Sequence, residues 1–290
     1  MRLNGVIIKG IGGFYYVSTE RGIAECHARG KMRKQKITPM VGDRVEITIV
    51  NENPLEGALE EICPRRTYLI RPAVANVDTV VIVIAATSPN PDFFMIDKLI
   101  VTAEKSGIDV IIAVNKTDLL SPDKIIDMYK SAGYKAVPIC ASTGEGIGRL
   151  KELIQGKITA FAGNSGVGKS SILNCLGFTL ETGIVSKIER GKHTTRHIEL
   201  MPLENGGFVM DTPGFSLLEI TNVKANELKD LFIEFEKYNN NCRFDDCIHI
   251  SGSLKDCAVL SAVEQGLIGE SRHNSYSALY DILKDIKEWK

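Results

Sequence analysis

"KITAFAGNSGVGKSSILNCLG", residues 157–177, joins an apolar β-branched run to a glycine-bearing turn and then to a helix-forming run. Gly163 to Ser170 fits G-x-x-x-x-G-K-[ST]. A strand before that motif and a helix after it are the context in which it forms a phosphate-binding loop. Gly163, Gly166 and Gly168 let the backbone turn tightly, so that its N–H groups converge on phosphate oxygens. The helix N-terminus adds partial positive charge. Lys169 is placed to reach the β- and γ-phosphates of a nucleotide, and the Ser170 hydroxyl to ligate Mg²⁺. The phosphate-binding set is therefore Gly163, Asn164, Ser165, Gly166, Val167, Gly168, Lys169, Ser170 and Ser171. A plain glycine-rich turn is the alternative, and the agreement of motif with context disfavours it.

Working outward, continuous apolar runs alternate with helical patterns from residue 78 onward. "DTVVIVIAA", "DVIIAV", "AVPIC" and "KITAFAG" read as strands, with helices after 92, near 122–132, near 146–155 and from Lys169; "HIELMPL" and "GGFVMD" complete the set. Apolar strands alternating with helices predict an α/β fold with a mostly parallel sheet covered on both faces. Residues 1–63 differ. Five short β-branched or aromatic runs separated by glycine-bearing turns predict a small barrel of the OB type, with a β-sandwich fragment as the other reading. "PRRTYLIRP" at 64–72, with proline at both ends, reads as a linker. Beyond 220 the chain reads as helical with a cysteine-rich loop.

The phosphate loop does not choose a base. "IIAVNKTDLL", residues 111–120, carries N-K-x-D at the end of a strand, the edge at which α/β proteins bind ligands. The Asp118 carboxylate accepts from guanine N1–H and from the exocyclic amine, which adenine cannot match, so an ATPase is the weaker alternative. Asn115 can tie the base edge to the phosphate loop, and the Lys116 stem can lie along the base face. "CAS" at 140–142 resembles the S-A-K-type loop whose backbone N–H reads guanine O6, which adds Ala141 and Ser142 to the site. The base motif here precedes the phosphate loop along the chain.

"VMDTPG" ends a strand at Asp211, with Gly214 three residues on, in the D-x-x-G arrangement. Asp211 is expected to hold Mg²⁺ through water, and the Gly214 N–H to sense a γ-phosphate. In "ERGKHTTRHIEL", Thr195 is the favoured Mg²⁺ ligand and Thr194 the alternative. Phe215 follows D-T-P-G and cannot hydrogen-bond a water, so slow intrinsic hydrolysis is expected. His193 is the candidate catalytic residue that orients or polarises water; a solvent-exposed or RNA-facing histidine is the competing reading.

"CRFDDCIHISGSLKDC" gives Cys242-x4-Cys247-x-His249-x7-Cys257, a tetrahedral Cys₃His donor set for one structural Zn²⁺. The segment lacks the apolar mass to fold alone, so metal would supply stability. The other four of the seven cysteines, Cys26, Cys63, Cys140 and Cys175, read as buried inert thiols.

The net charge of −1 over 290 residues excludes a wholly basic nucleic-acid binder. A local patch remains: Arg29, Lys31, Arg33, Lys34 and Lys36 fall in one barrel loop with no acid among them, suited to RNA phosphates. Phe14, Tyr15 and Tyr16 offer a stacking face or barrel core. The apolar fraction of 44% is that of a soluble globular chain. No signal peptide or membrane span is evident, and a cytoplasmic location is expected.

The order N-K-T-D, "AS", phosphate loop, switch threonines and D-T-P-G is that of a circularly permuted GTPase. With a barrel before it and Cys-x4-Cys-x-His-x7-Cys after it, the chain closely resembles the RsgA (YjeQ/YloQ) family of bacterial ribosome-assembly GTPases. The resemblance implies three domains: an OB barrel over 1–66, a permuted GTPase over 67–220 and a helical zinc domain over 221–290. It implies GTP/GDP as ligand, and late maturation of the small ribosomal subunit, whose rRNA stimulates hydrolysis. A monomer is expected. His193 matches the family's switch histidine, whereas Asn164 departs from the glutamine common at that position. An RNA-binding scaffold with negligible turnover is the competing function. Asp211–Gly214 runs directly into the C-terminal segment and is read as a hinge to it.

Overall fold

The structure, a computed structural model of the chain, describes residues 1–29, 38–70, 73–179, 198–210 and 223–285. The five N-terminal runs become β1 (Arg2–Ile11), β2 (Phe14–Thr19), β3 (Gly22–Ala28), β4 (Arg44–Glu52) and β5 (Leu55–Ile62). They close into a barrel in the order β1-β2-β3-β5-β4, which removes the sandwich alternative. The pairings are antiparallel except β3 with β5. Alternation sends Leu3, Ile7, Val17, Ala24, Cys26, Val45, Ile47 and Leu59 inward as a closed core. The three aromatics diverge: Tyr15 packs against the barrel core, Tyr16 against the core of the adjoining sheet, and Phe14 lies 4.4 Å from the His27 ring centroid.

The expected linker is a structured connector instead. β6 (Tyr68–Ile70) pairs antiparallel with β7 (Ala73–Ala75). Arg65 grips Asp43 with two hydrogen bonds of 2.7 and 2.9 Å and donates a third of 2.8 Å to the Thr38 carbonyl. Ile8 and Val41 of the barrel share one buried cluster with Leu69, Val74 and the sheet. Prolines at both ends thus bound a segment in which Thr67 and Leu69 are buried, and that burial outweighs the linker signal.

The main sheet runs β10-β9-β8-β11-β13-β12. Its strands are β8 (Thr79–Ala85), β9 (Asp109–Asn115), β10 (Lys135–Pro138), β11 (Ile158–Ala162), β12 (Leu200–Pro202) and β13 (Phe208–Met210). Only β12 runs antiparallel to its neighbour. Every residue of β8 is buried, and its side chains feed two separate cores, Val80, Ile82 and Ile84 on one face and Val81, Val83 and Ala85 on the other. Helices α1 (Phe93–Lys105), α2 (Asp123–Ser131), α3 (Ile147–Ile154) and α4 (Lys169–Cys175) alternate with these strands. α1 starts at Asp92, whose carboxylate accepts from the Met95 N–H at 3.1 Å.

The C-terminal part consists of 3₁₀ turns at Ala225–Leu231 and Ile233–Phe235, then α5 (Glu236–Asn239), α6 (Ala258–Glu264) and α7 (Glu270–Lys284). Phe232, Phe235 and Tyr276 form its aromatic centre, with Phe235 and Tyr276 edge-to-face at 4.9 Å. Val101 of α1 belongs to this same cluster, so the segment packs on the sheet's helical layer. Among the described residues no helix is long and apolar enough to cross a membrane.

Candidate nucleotide site and metal centre

Three parallel strands deliver three loops to one edge of the sheet. β11 ends in the glycine loop 163–168, β9 in Asn115–Asp118, and β10 in residues 139–142, with β8 between β9 and β11. The order along the chain is immaterial, because parallel strands present their C-terminal ends on the same side.

Asn115 joins the loops. It is 2% exposed; its amide nitrogen donates to the Val167 carbonyl at 2.9 Å, and its amide oxygen accepts from the Ala141 N–H at 3.1 Å. One side chain therefore fixes the phosphate loop against the expected base-reading loop. A guanine O6 would have to share the Ala141 amide with Asn115. The glycines permit the closeness: Gly168 has φ +96°, and a Cβ there would sit 2.2 Å from Asn115 Nδ2, while a Cβ on Gly163 would sit 2.3 Å from the Val83 carbonyl oxygen. The Lys169 ammonium folds over its own loop, donating to the carbonyls of Gly163 at 2.7 Å and Asn164 at 2.9 Å. Ser170 and Ser171 lie in the first turn of α4.

Lys116 has φ +65°, one of three non-glycine residues with positive φ among those described. Such a conformation is held only where surroundings enforce it. Here the Lys116 ammonium donates to the Ser88 carbonyl, and the Thr117 hydroxyl and N–H both reach the Ile139 carbonyl, at 3.2 and 3.4 Å. The 86–92 loop was not a sequence candidate. Its residues Pro89 to Asp92 line a small cleft against Gly163, Asn164 and Val167.

Two of the four thiols read as buried and inert are not buried. Cys63 lies just past β5 and is exposed, and Cys175 is half-buried, its Sγ donating to the Ala141 carbonyl at 3.2 Å. Cys140 is buried but engaged, 3.3 Å from Asp118 Oδ1 and 3.1 Å from Ser142 Oγ. The hydroxyls of Ser142 and then Thr143 hold its pKa below the usual thiol value, against the opposing effects of burial and then of Asp118. The signal was in the sequence: Cys140 occupies the first place of the loop that resembled S-A-K.

His193, Thr194, Thr195, Asp211, Gly214 and Phe215 lie outside the described residues, as do Lys31, Arg33, Lys34 and Lys36. Arg29, the described member of the basic loop, pairs with Glu60 at 2.7 Å. Just ahead of β12 the chain is anchored to the barrel: Glu199 forms a β-bridge with Lys9 and an ion pair of 2.8 Å.

At the far end of the chain, the ligand atoms of Cys242, Cys247, His249 and Cys257 lie within 4.8 Å of one another. Donors around a tetrahedral zinc sit about 3.7 Å apart. Here His249 Nδ1 is 3.4 Å from Cys257 Sγ and 3.6 Å from Cys242 Sγ, already close to that spacing, and with all four ligand atoms within 4.8 Å of one another the donor set fits the ion. Burial holds His249 down to about 4, the neutral ring a metal needs, and pushes the Cys257 thiol up to about 12, so metal uptake must release protons. His249 has φ +56°. Two residues of α7 support that turn: His273 Nε2 lies 2.7 Å from the His249 carbonyl oxygen, and the Tyr276 hydroxyl donates to the Ile248 carbonyl at 2.6 Å.

The chain matches the family model described as RsgA GTPase over residues 62–221 and that described as RsgA N-terminal domain over 4–57. The chain belongs to the RsgA GTPase family. A relative from Ruminiclostridium cellulolyticum, named small ribosomal subunit biogenesis GTPase RsgA, is 49% identical over 99% of this chain and 95% of its own. One of the same name from Caldanaerobacter subterraneus is 47% identical over 99% and 97%. Among solved structures, YjeQ from Thermotoga maritima aligns with a TM-score of 0.85 at 36% identity, covering 99% of this chain and 100% of that one. YloQ, described as a circularly permuted GTPase, aligns at 0.83 and 36%, covering 100% and 98%. The RsgA-type permutation accounts for the order along the chain, in which β9, ending in N-K-x-D, comes ahead of β11, ending in the glycine loop.

Proposed function

We propose that this chain hydrolyses GTP to GDP and phosphate, and does so as a factor in biogenesis of the small ribosomal subunit. The observation that carries the nucleotide reading is Asn115, whose amide spans Val167 of the phosphate loop and Ala141 of the base-reading loop. Asp118 reads guanine, Lys116 lies along the base, and Gly163 to Ser171 cradle the phosphates. Lys169 then exchanges its loop carbonyls for the β- and γ-phosphates. A Mg²⁺ ion held by Ser170, Thr195 and Asp211 would neutralise charge developing between those phosphates. His193 orients the attacking water, and Gly214 senses the γ-phosphate.

The ribosomal assignment is supported by near-full-length relatives named for small-subunit biogenesis. We assign the rRNA contact to the barrel loop with Arg29, Lys31, Arg33, Lys34 and Lys36, and one structural zinc to Cys242, Cys247, His249 and Cys257. The partition 1–66, 67–220 and 221–290, the monomeric state and a cytoplasmic site of action belong to the same reading. The deciding experiment measures GTP turnover with and without purified small subunits, and competes GTP against ATP. Stimulation by the subunit with a guanine preference supports the reading; turnover unchanged by subunits would leave a nucleotide-dependent RNA-binding scaffold.

A further inference from the structure

We propose that His273 and Tyr276 of α7 are positioning residues for the metal: they hold the ligand His249 by its backbone and thereby set how tightly zinc is bound. The inference rests on the assignment of zinc to Cys242, Cys247, His249 and Cys257.

His249 turns Nδ1 toward two sulfurs, 3.4 Å from Cys257 Sγ and 3.6 Å from Cys242 Sγ, so Nδ1 is the nitrogen offered to the metal. The ring proton then sits on Nε2. A metal-bound imidazole is ordinarily oriented from that second nitrogen, by a carboxylate or carbonyl that accepts its proton. Here Nε2 is buried and has no hydrogen-bond partner among the described residues. The Phe235 ring meets the imidazole edge to face at 6.0 Å, which confines it without directing it.

The direction comes from the main chain. His249 has φ +56°, a conformation that a residue with a side chain keeps only under constraint. Its carbonyl oxygen lies 2.7 Å from His273 Nε2. A carbonyl only accepts, so His273 carries its proton on Nε2 and donates. One residue earlier, the Ile248 carbonyl accepts from the Tyr276 hydroxyl at 2.6 Å. His273 and Tyr276 are both buried and stand three residues apart, on one face of α7. One rigid helix thus fixes two consecutive carbonyls, and the left-handed turn between them carries the His249 ring to the sulfurs. Cys257, the other buried ligand, is held comparably: its sulfur accepts from the Leu260 N–H at 3.4 Å at the start of α6. The buried half of the donor set is therefore in place before the metal arrives, and binding costs it little further freedom. A histidine that merely filled the core beside Phe235, 6.4 Å away, would support the metal-free and the metal-loaded chain equally.

The test is a zinc titration of the full-length chain against a chromogenic chelator, with His273→Phe and His273→Gln beside the wild type, and urea unfolding of each with and without zinc. His273→Phe keeps a ring and loses the donor, and is expected to weaken zinc binding roughly 10- to 100-fold. His273→Gln, whose amide nitrogen can replace Nε2, is expected to stay within about threefold of the wild type. The phenylalanine variant should lose more stability zinc-loaded than metal-free. Should it fail to fold, Tyr276→Phe, which lacks only the hydroxyl, takes its place with an expected weakening of roughly three- to tenfold. Unchanged zinc affinity, a glutamine variant no better than phenylalanine, or equal stability losses with and without zinc would overturn the proposal. A wild-type chain that takes up no zinc would instead sink the metal assignment, and the positioning role with it.

Discussion

Arg272 of α7 places Nη1 2.7 Å from Asp97 Oδ1 of α1, with both side chains at or below 1% exposure. The same guanidinium grips Glu234 at 2.7 and 3.0 Å and lies over the Phe232 ring at 4.5 Å, and Asp97 accepts from the Tyr129 hydroxyl at 3.1 Å. The C-terminal segment is thus fastened to the sheet's helical layer by a buried charge network. Burial pushes the Asp97 carboxyl up; it also works against the Arg272 charge, but the Asp97 and Glu234 carboxylates outweigh it and keep the guanidinium ionised.

Removing the cation from this network should cost more than neutralising one anion. Arg272→Met leaves two buried carboxylates without a countercharge and is expected to destabilise the chain by about 3–5 kcal/mol. Asp97→Asn keeps a hydrogen-bonding group beside Arg272, whose charge Glu234 still balances, and should cost about 1–2 kcal/mol. Urea unfolding followed by circular dichroism separates the two; equal losses would mean that Asp97 rather than Arg272 anchors the network.

Asn115→Ala removes two hydrogen bonds and leaves the Val167 carbonyl and Ala141 N–H without their partner. A stability loss of about 1–3 kcal/mol is expected, with GDP affinity falling roughly 30- to 100-fold although Asp118 is untouched. Fluorescence titration with a labelled guanine nucleotide provides the measurement, and near-normal affinity would detach Asn115 from the site.

Gly168→Ala meets two obstacles at once, a φ of +96° and a Cβ 2.2 Å from Asn115 Nδ2. The strained backbone alone costs about 1 kcal/mol or more. The displaced amide should abolish measurable GDP binding. A Gly148→Ala control, where an added Cβ meets nothing within 4 Å in α3, should keep wild-type binding.

Metal removal should act on the C-terminal segment before the sheet. The purified chain is expected to carry one zinc, and chelation or Cys257→Ser to lower the melting temperature and expose the α7 packing to proteolysis. In the metal-free chain His249 adds a pH dependence. Its folded pKa of about 4 lies below the ordinary 6.5, so the unfolded chain binds more protons between those values. Stability from this group is complete above about 6.5 and is lost as pH falls toward about 4. A flat profile in that window, in a chain shown to lack metal, would count against the buried placement of His249.

The parts of the molecule with strong periodicity were legible from sequence. β8 to β11 and the glycine loop declared themselves because burial on both faces demands unbroken apolar runs and the phosphate cradle demands glycine. The Cys₃His spacing was legible because ligand chemistry restricts residue type. What was missed depends on contacts between distant segments. The stretch 64–72 reads as a linker, since nothing local discloses that Arg65 will find Asp43 or that Leu69 will share a core with Ile8. The Cys140–Asp118 bond joins residues 22 apart, and the seat of Lys116 on Ser88 joins residues 28 apart. The Arg272 network spans 175 residues, beyond any periodic pattern.

The central seam of the sheet carries a consequence for how the chain comes to bind anything. β8 and β11 lie side by side, and Asp78, just ahead of β8, accepts from the Ile158 N–H across 80 residues of sequence. Closing so long a loop is entropically slow compared with forming the local strand–helix units on either side. The glycine loop leaves β11 directly, and Asn115 can reach Val167 only after that seam has shut. Nucleotide affinity should therefore rise late in refolding, behind the recovery of helical signal, so that ligand capture becomes a clock for the final registration of the sheet.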